Sequence, residues 1–222
     1  MIVQHNITSM NANRQLGIVG NNLAKSTEKL SSGYRINRAA DDAAGLAISE
    51  KMRAQVRGLN RASDNAQDGI SLIQTAEGAM DQQHAILQRA RELVVQASNS
   101  GVLDKDSDDD FQKIQDELNE IGKEFERINT DTEFNKKKLL DGTYKSQYFQ
   151  VGANKEQGIS VTIAKTAWAN PTITGGDGKG NSAVIDTIDT MIKGVTTERS
   201  KLGAVQNRLE YTVKVDDNTA EN

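Results

Sequence analysis

Apolar residues stand at intervals of seven at Met52, Leu59, Ala66, Ile73, Met80, Leu87 and Val94, in a stretch without proline. Such a repeat is the mark of one long helix that keeps a single seam facing its neighbours. Three residues after each comes a second seam of Gln55, Ala62, Gly69, Ala76, Gln83, Ala90 and Ala97, most of it small. Small residues let neighbouring helices approach closely, whereas a leucine-zipper dimer wants large branched residues on both seams. The pattern therefore predicts an intrachain bundle around a helix from about Asp42 to Ala97, about 85 Å long at the α-helical rise.

The rest of the chain fits that frame. Ala12, Leu16, Val19, Leu23 and Leu30, with a polar Ser26 between, give a weaker amphipathic helix from about Asn6 to Ser32. Gly33 is placed to end it, residues 33 to 41 connect, and Asp41 or Asp42 caps the next helix. After a break at Asn99 to Gly101, the acidic run Asp104 to Asp110 leads into Phe111, Ile114, Leu118, Ile121, Phe125 and Ile128, an unbroken helical stripe whose acids sit at the positive end of the dipole. Tyr148 to Val151 and Ile159 to Ile163 read as two strands of a hairpin around GANKEQG. Residues 165 to 182, with the only proline and the run GGDGKGNS, read as a loop too polar and glycine-rich to join a core. A last helix is expected from near Ser182 through Ile188, Met191, Val195, Leu202, Val205 and Leu209, interrupted by Glu198 in its seam. The fold class is mainly α, an elongated bundle of long coiled-coil-like helices with a small β-hairpin.

Composition narrows the chemistry. Of 222 residues, 36% are hydrophobic and 4% aromatic, so the core is thin; cysteine is absent, which removes disulfides, thiolate nucleophiles and cysteine metal sites. A net charge of −4 argues against nucleic acid as a partner. No stretch approaches the ~20 apolar residues of a membrane span. The start, MIVQHNITSMNANRQ, lacks a basic leader, an apolar run and a cleavage site, so no cleaved signal peptide is expected.

Short motifs for catalysis or metal binding fail on their own terms. Asp104, Asp106 and Asp108 match the first ligands of a calcium loop, but Asp109 stands at the glycine and Gln115 at the glutamate position, leaving a helix-capping acidic run as the better reading. GGDGKGNS lacks the hydroxyl residue a phosphate loop needs after Gly-Lys, where Gly180 stands. His5 and His84 have no zinc-spaced partner and no nucleophile context. Asn6-Ile7-Thr8 fits a glycosylation acceptor, but a three-residue pattern is easily matched by chance and carries no weight. Neither catalysis nor a cofactor is expected. The segment Gln88 to Gln96 is more informative. With Leu87, Ala90 and Val94 facing the bundle, Arg89, Glu92, Leu93 and Gln96 fall on or beside the outer face, as a contact patch or as a solvated flank.

The run KLSSGYRINRAADDAAGLAISEKMRAQVRGLNRASDNAQDGISLIQTAEGAM, Lys29 to Met80, closely resembles the amino-terminal region of bacterial flagellin. QRARELVVQ at Gln88 to Gln96, TEFNKKKLLDG at Thr132 to Gly142, FQVGANKEQGISVTI at Phe149 to Ile163 and RSKLGAVQNRLE at Arg199 to Glu210 follow in the family's order and extend the resemblance over nearly the whole chain.

The resemblance implies a structural subunit of the flagellar filament, exported unfolded by the flagellar type III apparatus, located outside the cell in the filament, and partnered by further copies of itself. By the same resemblance, residues 1–41 are the amino-terminal half of a terminal coiled coil plus connector. Residues 42–164 are the amino-terminal part of a core domain, 165–182 a loop in place of the family's variable domains, and 183–222 the carboxyl-terminal helix of the core. The chain ends at Thr219 to Asn222, where flagellins usually continue; the resemblance implies that the variable domains and the carboxyl-terminal segment are lacking, and with them part of the assembly surface. Relatives recognised by Toll-like receptor 5 use the outer face of the core domain, which corresponds here to Arg89, Leu93 and Glu117, with Gln88, Glu92 and Gln96 alongside. The same surface is expected to pack against the next subunit, with Ala90 pointing inward. Competing readings are a hook-filament junction protein, which shares the terminal helices, and a helical adaptor or signalling bundle. A flagellin carrying a metalloprotease would need HExxH, which is absent.

Overall fold

The computed structural model describes residues 6–99, 101, 108–174 and 177–222, with backbone only at 108 and 109. Its elements run α1 (Ile7–Ser32), α2 (Ala43–Ala97), α3 (Asp108–Asp131), β1 (Glu133–Phe134), β2 (Lys137–Lys138), β3 (Gln147–Gln150), β4 (Gly158–Val161) and α4 (Gly178–Glu221). The chain forms two compact units, Met1–Gln55 and Val56–Asn222.

In the first unit, the Asn6 side chain accepts from the Ser9 N–H at 3.1 Å and starts α1. Gly33, at φ 72°, ends it by donating to the Lys29 carbonyl, the left-handed stop expected from the sequence. Asp42, rather than Asp41, caps α2, accepting from the Gly45 N–H at 2.8 Å. Asp41 instead closes the connector by accepting from the Asn37 and Arg38 N–H groups. No residue of α1 is buried, and its stripe of Leu16, Val19, Leu23 and Leu30 is exposed throughout, up to 85% at Leu30.

The second unit packs around α2. Every residue of the two expected seams from Leu59 to Ala97 is buried; Met52 and Gln55, which lie in the first unit, are exposed. α4 runs antiparallel to α2: Asn181 bonds the Ala97 carbonyl, Arg91 pairs with Asp189, Asp81 with Arg199, Leu209 packs at Gly69, and Ser63 bonds Asp217. A side chain at Gly69 would meet Leu209 and the Phe149 ring at 3.3 and 3.4 Å, so the absence of one lets α4 and the hairpin close onto α2. α3 lays Phe111, Ile114, Leu118 and Phe125 into the core, with Ile121 and Ile128 half-buried beside them. Buried Gln83 of the second seam donates to buried Asn129 of α3 at 2.8 Å, which explains an amide in an otherwise apolar repeat.

β3 and β4 pair antiparallel, with Phe149 opposite Ile159 and Gln147 opposite Val161, within one or two residues of the expected ends. Ile159, Val161 and Ile163 face the core while Ser160 and Thr162 are exposed, as their alternation requires. The β1–β2 hairpin has no counterpart in the sequence reading. Its turn holds Asn135 and Lys136 at φ 48° and 64°, the two consecutive positive values of a tight hairpin turn that asparagine tolerates well.

The expected loop over 165 to 182 needs correction at both ends. From Gly178 it is already helix, because the Asp177 carboxylate caps α4 by accepting from the Gly180 N–H at 2.8 Å. Buried Asn181 in the first turn bonds Thr174 through both its donor and its acceptor. Residues 164–174 form an extended strap on α3 and α4, with Pro171 and Ile173 buried and Trp168 half-buried. Polar side chains pin its backbone: Glu198 takes the Ala164 N–H, Asn129 donates to the Thr166 carbonyl, Glu126 takes the Trp168 N–H, and Gln115 bonds both Pro171 and Ile173. Glu198, which breaks the apolar pattern of α4, is therefore an anchor for the strap.

Candidate functional site

The antiparallel packing of α2 and α3 brings together residues far apart in sequence. Arg89 donates from both Nε and Nη2 to Glu117 Oε1, at 3.0 and 2.8 Å, and reaches Glu92 through Nη1 at 3.4 Å. The hydrogen bond and charge of Glu117 push the Arg89 guanidinium further above its already high pKa, so the group is always a cation. All three side chains are exposed, and an exposed ion pair adds little stability. What it does is hold a planar cation and two carboxylates in a fixed arrangement at the surface. Gln88, also exposed, lies 2.8 Å from His84 Nε2 through its amide nitrogen, and Gln96 is exposed one turn beyond Glu92.

Leu93 is not part of this surface. It is 2% exposed and belongs to the core, which corrects its expected position on or beside the outer face. The physical reason is that α2 is packed on more than one side, so its apolar band is wider than two seams. Leu72, Ala79, Ile86 and Leu93 recur at intervals of seven immediately before the first seam, and all four are buried or packed on the core. That third stripe was available in the sequence. Ala90 is fully buried and points inward as expected.

Asp104 and Asp106 of the calcium-like run, His5, and Gly175 and Gly176 lie outside the described residues. Gln115, at the glutamate position of that run, has both ends of its amide committed to the strap. Among the described residues, no three His, Asp or Glu side chains are grouped to hold a metal ion, and no helix is long and apolar enough to cross a membrane.

The family model of the bacterial flagellin N-terminal helical region matches residues 3–145, and that of the C-terminal helical region matches residues 185–222. The chain is 52% identical over 229 residues to a flagellin of Halalkalibacterium halodurans, a match covering 100% of this chain and 82% of the relative. It is 48% identical over 248 residues to a flagellin of Bacillus subtilis, covering 96% and 81%. A flagellar filament 31.3 kDa core protein of Treponema maltophilum is 44% identical over 241 residues, covering 100% and 83%. Among solved structures, the crystal structure of Bacillus cereus flagellin is similar with a TM-score of 0.60 and 25% identity, over 68% of this chain and 88% of that one. With both helical regions matched in order, relatives near half identity along its whole length, and a fold shared with a solved member, this chain belongs to the bacterial flagellins, structural proteins of the flagellar filament and not enzymes.

Proposed function

We propose that copies of this chain, exported by the flagellar type III apparatus, build an extracellular filament in which a neighbouring subunit covers the stripe of α1. The observation that supports this is the stripe itself: a helix of 26 residues with none buried exposes Leu16, Val19, Leu23 and Leu30 on one seam. Burying each such side chain is worth about 1.5–3 kcal/mol, which a helix left in water forgoes. Most of a helix's stability comes from packing its apolar face and not from propensity, so an apolar partner is what would hold it. Sedimentation velocity over a concentration series tests the reading. The unaltered chain is expected to self-associate, and the double variant Leu16→Glu with Leu23→Glu to stay monomeric with unchanged melting of the second unit. Equal association of the two proteins would refute it.

The finer part of the proposal concerns the surface around Arg89, Glu117, Glu92, Gln88 and Gln96, which we assign to recognition by Toll-like receptor 5 and to packing against the next subunit. Its support is the resemblance over QRARELVVQ together with the exposed Arg89–Glu117 pair, in which two guanidinium donors share Glu117 Oε1. Leu93 contributes by shaping the helix beneath and not by contact, given its burial. Arg89→Ala and Glu117→Ala should each weaken binding to the receptor ectodomain by about tenfold or more, with melting unchanged. Normal affinity in both variants would place recognition elsewhere.

A further inference from the structure

The second seam helix of the core, α4, repeats Ile188, Val195, Leu202 and Leu209 at intervals of seven, all of them buried against its neighbours. The next member of the series is Asp216. Its position has not moved to the surface: Asp216 is 7% exposed, and its Oδ2 atom is buried with no hydrogen-bond partner. The antiparallel register sets it against the α2 segment that buries Leu59, Ala62, Ser63 and Ala66. The hydroxyl donor on that segment, Ser63, is given to Asp217 at 3.0 Å.

No cation answers the charge. On α2, Arg61 is exposed and paired with Asp64 at 3.2 Å, and Arg57 is exposed. The hairpin turn packs on α2 at Gly58 through Ala153, and its Lys155 and Glu156 pair with each other. On α4 itself, Lys214 sits 5.7 Å over the Tyr211 ring and Asp217 carries the same sign as Asp216. Asp216 forms no ion pair among the described residues.

We propose that Asp216 is a proton-operated latch: neutral, it completes the α4 seam and holds the turns after Leu209 against α2; ionised, it loosens them. A carboxylate held in an apolar seam without a donor or counter-ion is penalised, whereas the carboxylic acid is tolerated. Burial, and then the like charge of Asp217, raise the Asp216 pKa above the ordinary aspartate value. For an acid with a raised folded pKa, the docked form binds the proton more tightly than the undocked one. Docking is therefore strongest in acid, weakens as pH rises from the undocked pKa through the docked one, and stays at its weakest above that. Tyr211 and Val215, already exposed on these turns, move with them.

Amide hydrogen exchange of the full chain, corrected for intrinsic rates and compared between about pH 4 and pH 8, reads the latch directly. Protection of residues 210–220 is expected to fall as pH rises over that range, with the α2 amides near Leu87 as an unchanged reference. Asp216→Asn should abolish the pH dependence, and Asp216→Leu should keep these amides protected at neutral pH. Asp217→Asn should retain the dependence. Flat protection in the unaltered chain, dependence that survives Asp216→Asn, no gain with Asp216→Leu at neutral pH, or dependence that vanishes with Asp217→Asn would each overturn the proposal.

Discussion

Replacing Gly122 by alanine should turn Trp168 out of its seat. A methyl group on Gly122 would lie 2.5 Å from the indole Nε1 and 2.7 Å from Cε2, so the ring rests directly on the α3 backbone. The strap backbone has little room to lift, since Asn129 holds Thr166, Glu126 holds Trp168 and the Met191 sulfur accepts from Ala169. The side chain must rotate, and it loses its tilted contact with buried Phe125, whose ring centroid is 5.6 Å away. That aromatic pair is worth about 0.5–1.5 kcal/mol, and re-exposing part of a half-buried indole about 1–2 kcal/mol more. Alanine for glycine within a helix returns about 1 kcal/mol, leaving a net loss of about 0.5–2.5 kcal/mol.

Because Trp168 is the sole tryptophan, emission reports this one event. Gly122→Ala should shift the emission to the red and raise its quenching by acrylamide, with a modest drop in denaturation midpoint. Gly78→Ala is the comparison: on the exposed side of α2, with no atom within 4 Å of the added carbon, it should gain up to about 1 kcal/mol and leave emission unchanged. If Gly122→Ala behaves like Gly78→Ala, the indole does not occupy this seat and the account of the strap is wrong.

Leu93→Ala and Leu87→Ala should each cost about 2–5 kcal/mol in chemical denaturation, since both side chains are buried and leave a cavity; a loss of under half a kcal/mol at Leu93 would restore it to the surface. Acid should loosen the strap. Burial by itself would raise the Glu126 pKa, but the Lys165 hydrogen bond, the Trp168 N–H and the Lys165 charge outweigh it and hold the pKa below the ordinary glutamate value. The stabilisation from Glu126 is then present above its unfolded pKa and lost as pH falls through the folded one, opposite in sign to Asp216. Tryptophan emission should redden in that acid range, and Glu126→Gln should flatten the response; an unchanged response in the variant would assign the titration to another group.

Much of the architecture was legible because it rests on local periodicity. The seams of α2 from Leu59 onward and the Ile159–Ile163 alternation bury the residues their spacing selects, and the stripe of α3 buries four and packs Ile121 and Ile128 half-buried beside them. Gly33 and Asp42 act as the caps their positions imply. What escaped was whatever depends on distant partners. Nothing near residue 168 announces that Glu126, Asn129 and Gln115, some forty to sixty residues earlier, will satisfy the backbone of the strap, so a polar, glycine-rich stretch read as loop. Polar breaks in the seams have the same origin: Gln83 and Glu198 look like defects along one helix and become acceptors or donors once a second element is packed against it.

The candidate surface divides along the same line. Spacing placed Arg89, Glu92 and Gln96 outward, and they are outward. It also puts Leu93 with them, because the heptad spacing marks two seams on a helix whose core-facing band carries a third stripe. Glu117 could be joined to Arg89 only through the resemblance or through the antiparallel docking of α3, since no local pattern relates positions 28 residues apart. Asp216 is the informative remainder. It keeps the heptad in register and breaks it in chemistry, and unlike Gln83 and Glu198 it meets no compensating partner among the described residues. A seam that tolerates polar residues wherever a second element satisfies them, yet buries Oδ2 of this carboxylate without a partner, makes the docking of α4 on α2 sensitive to the protonation of Asp216.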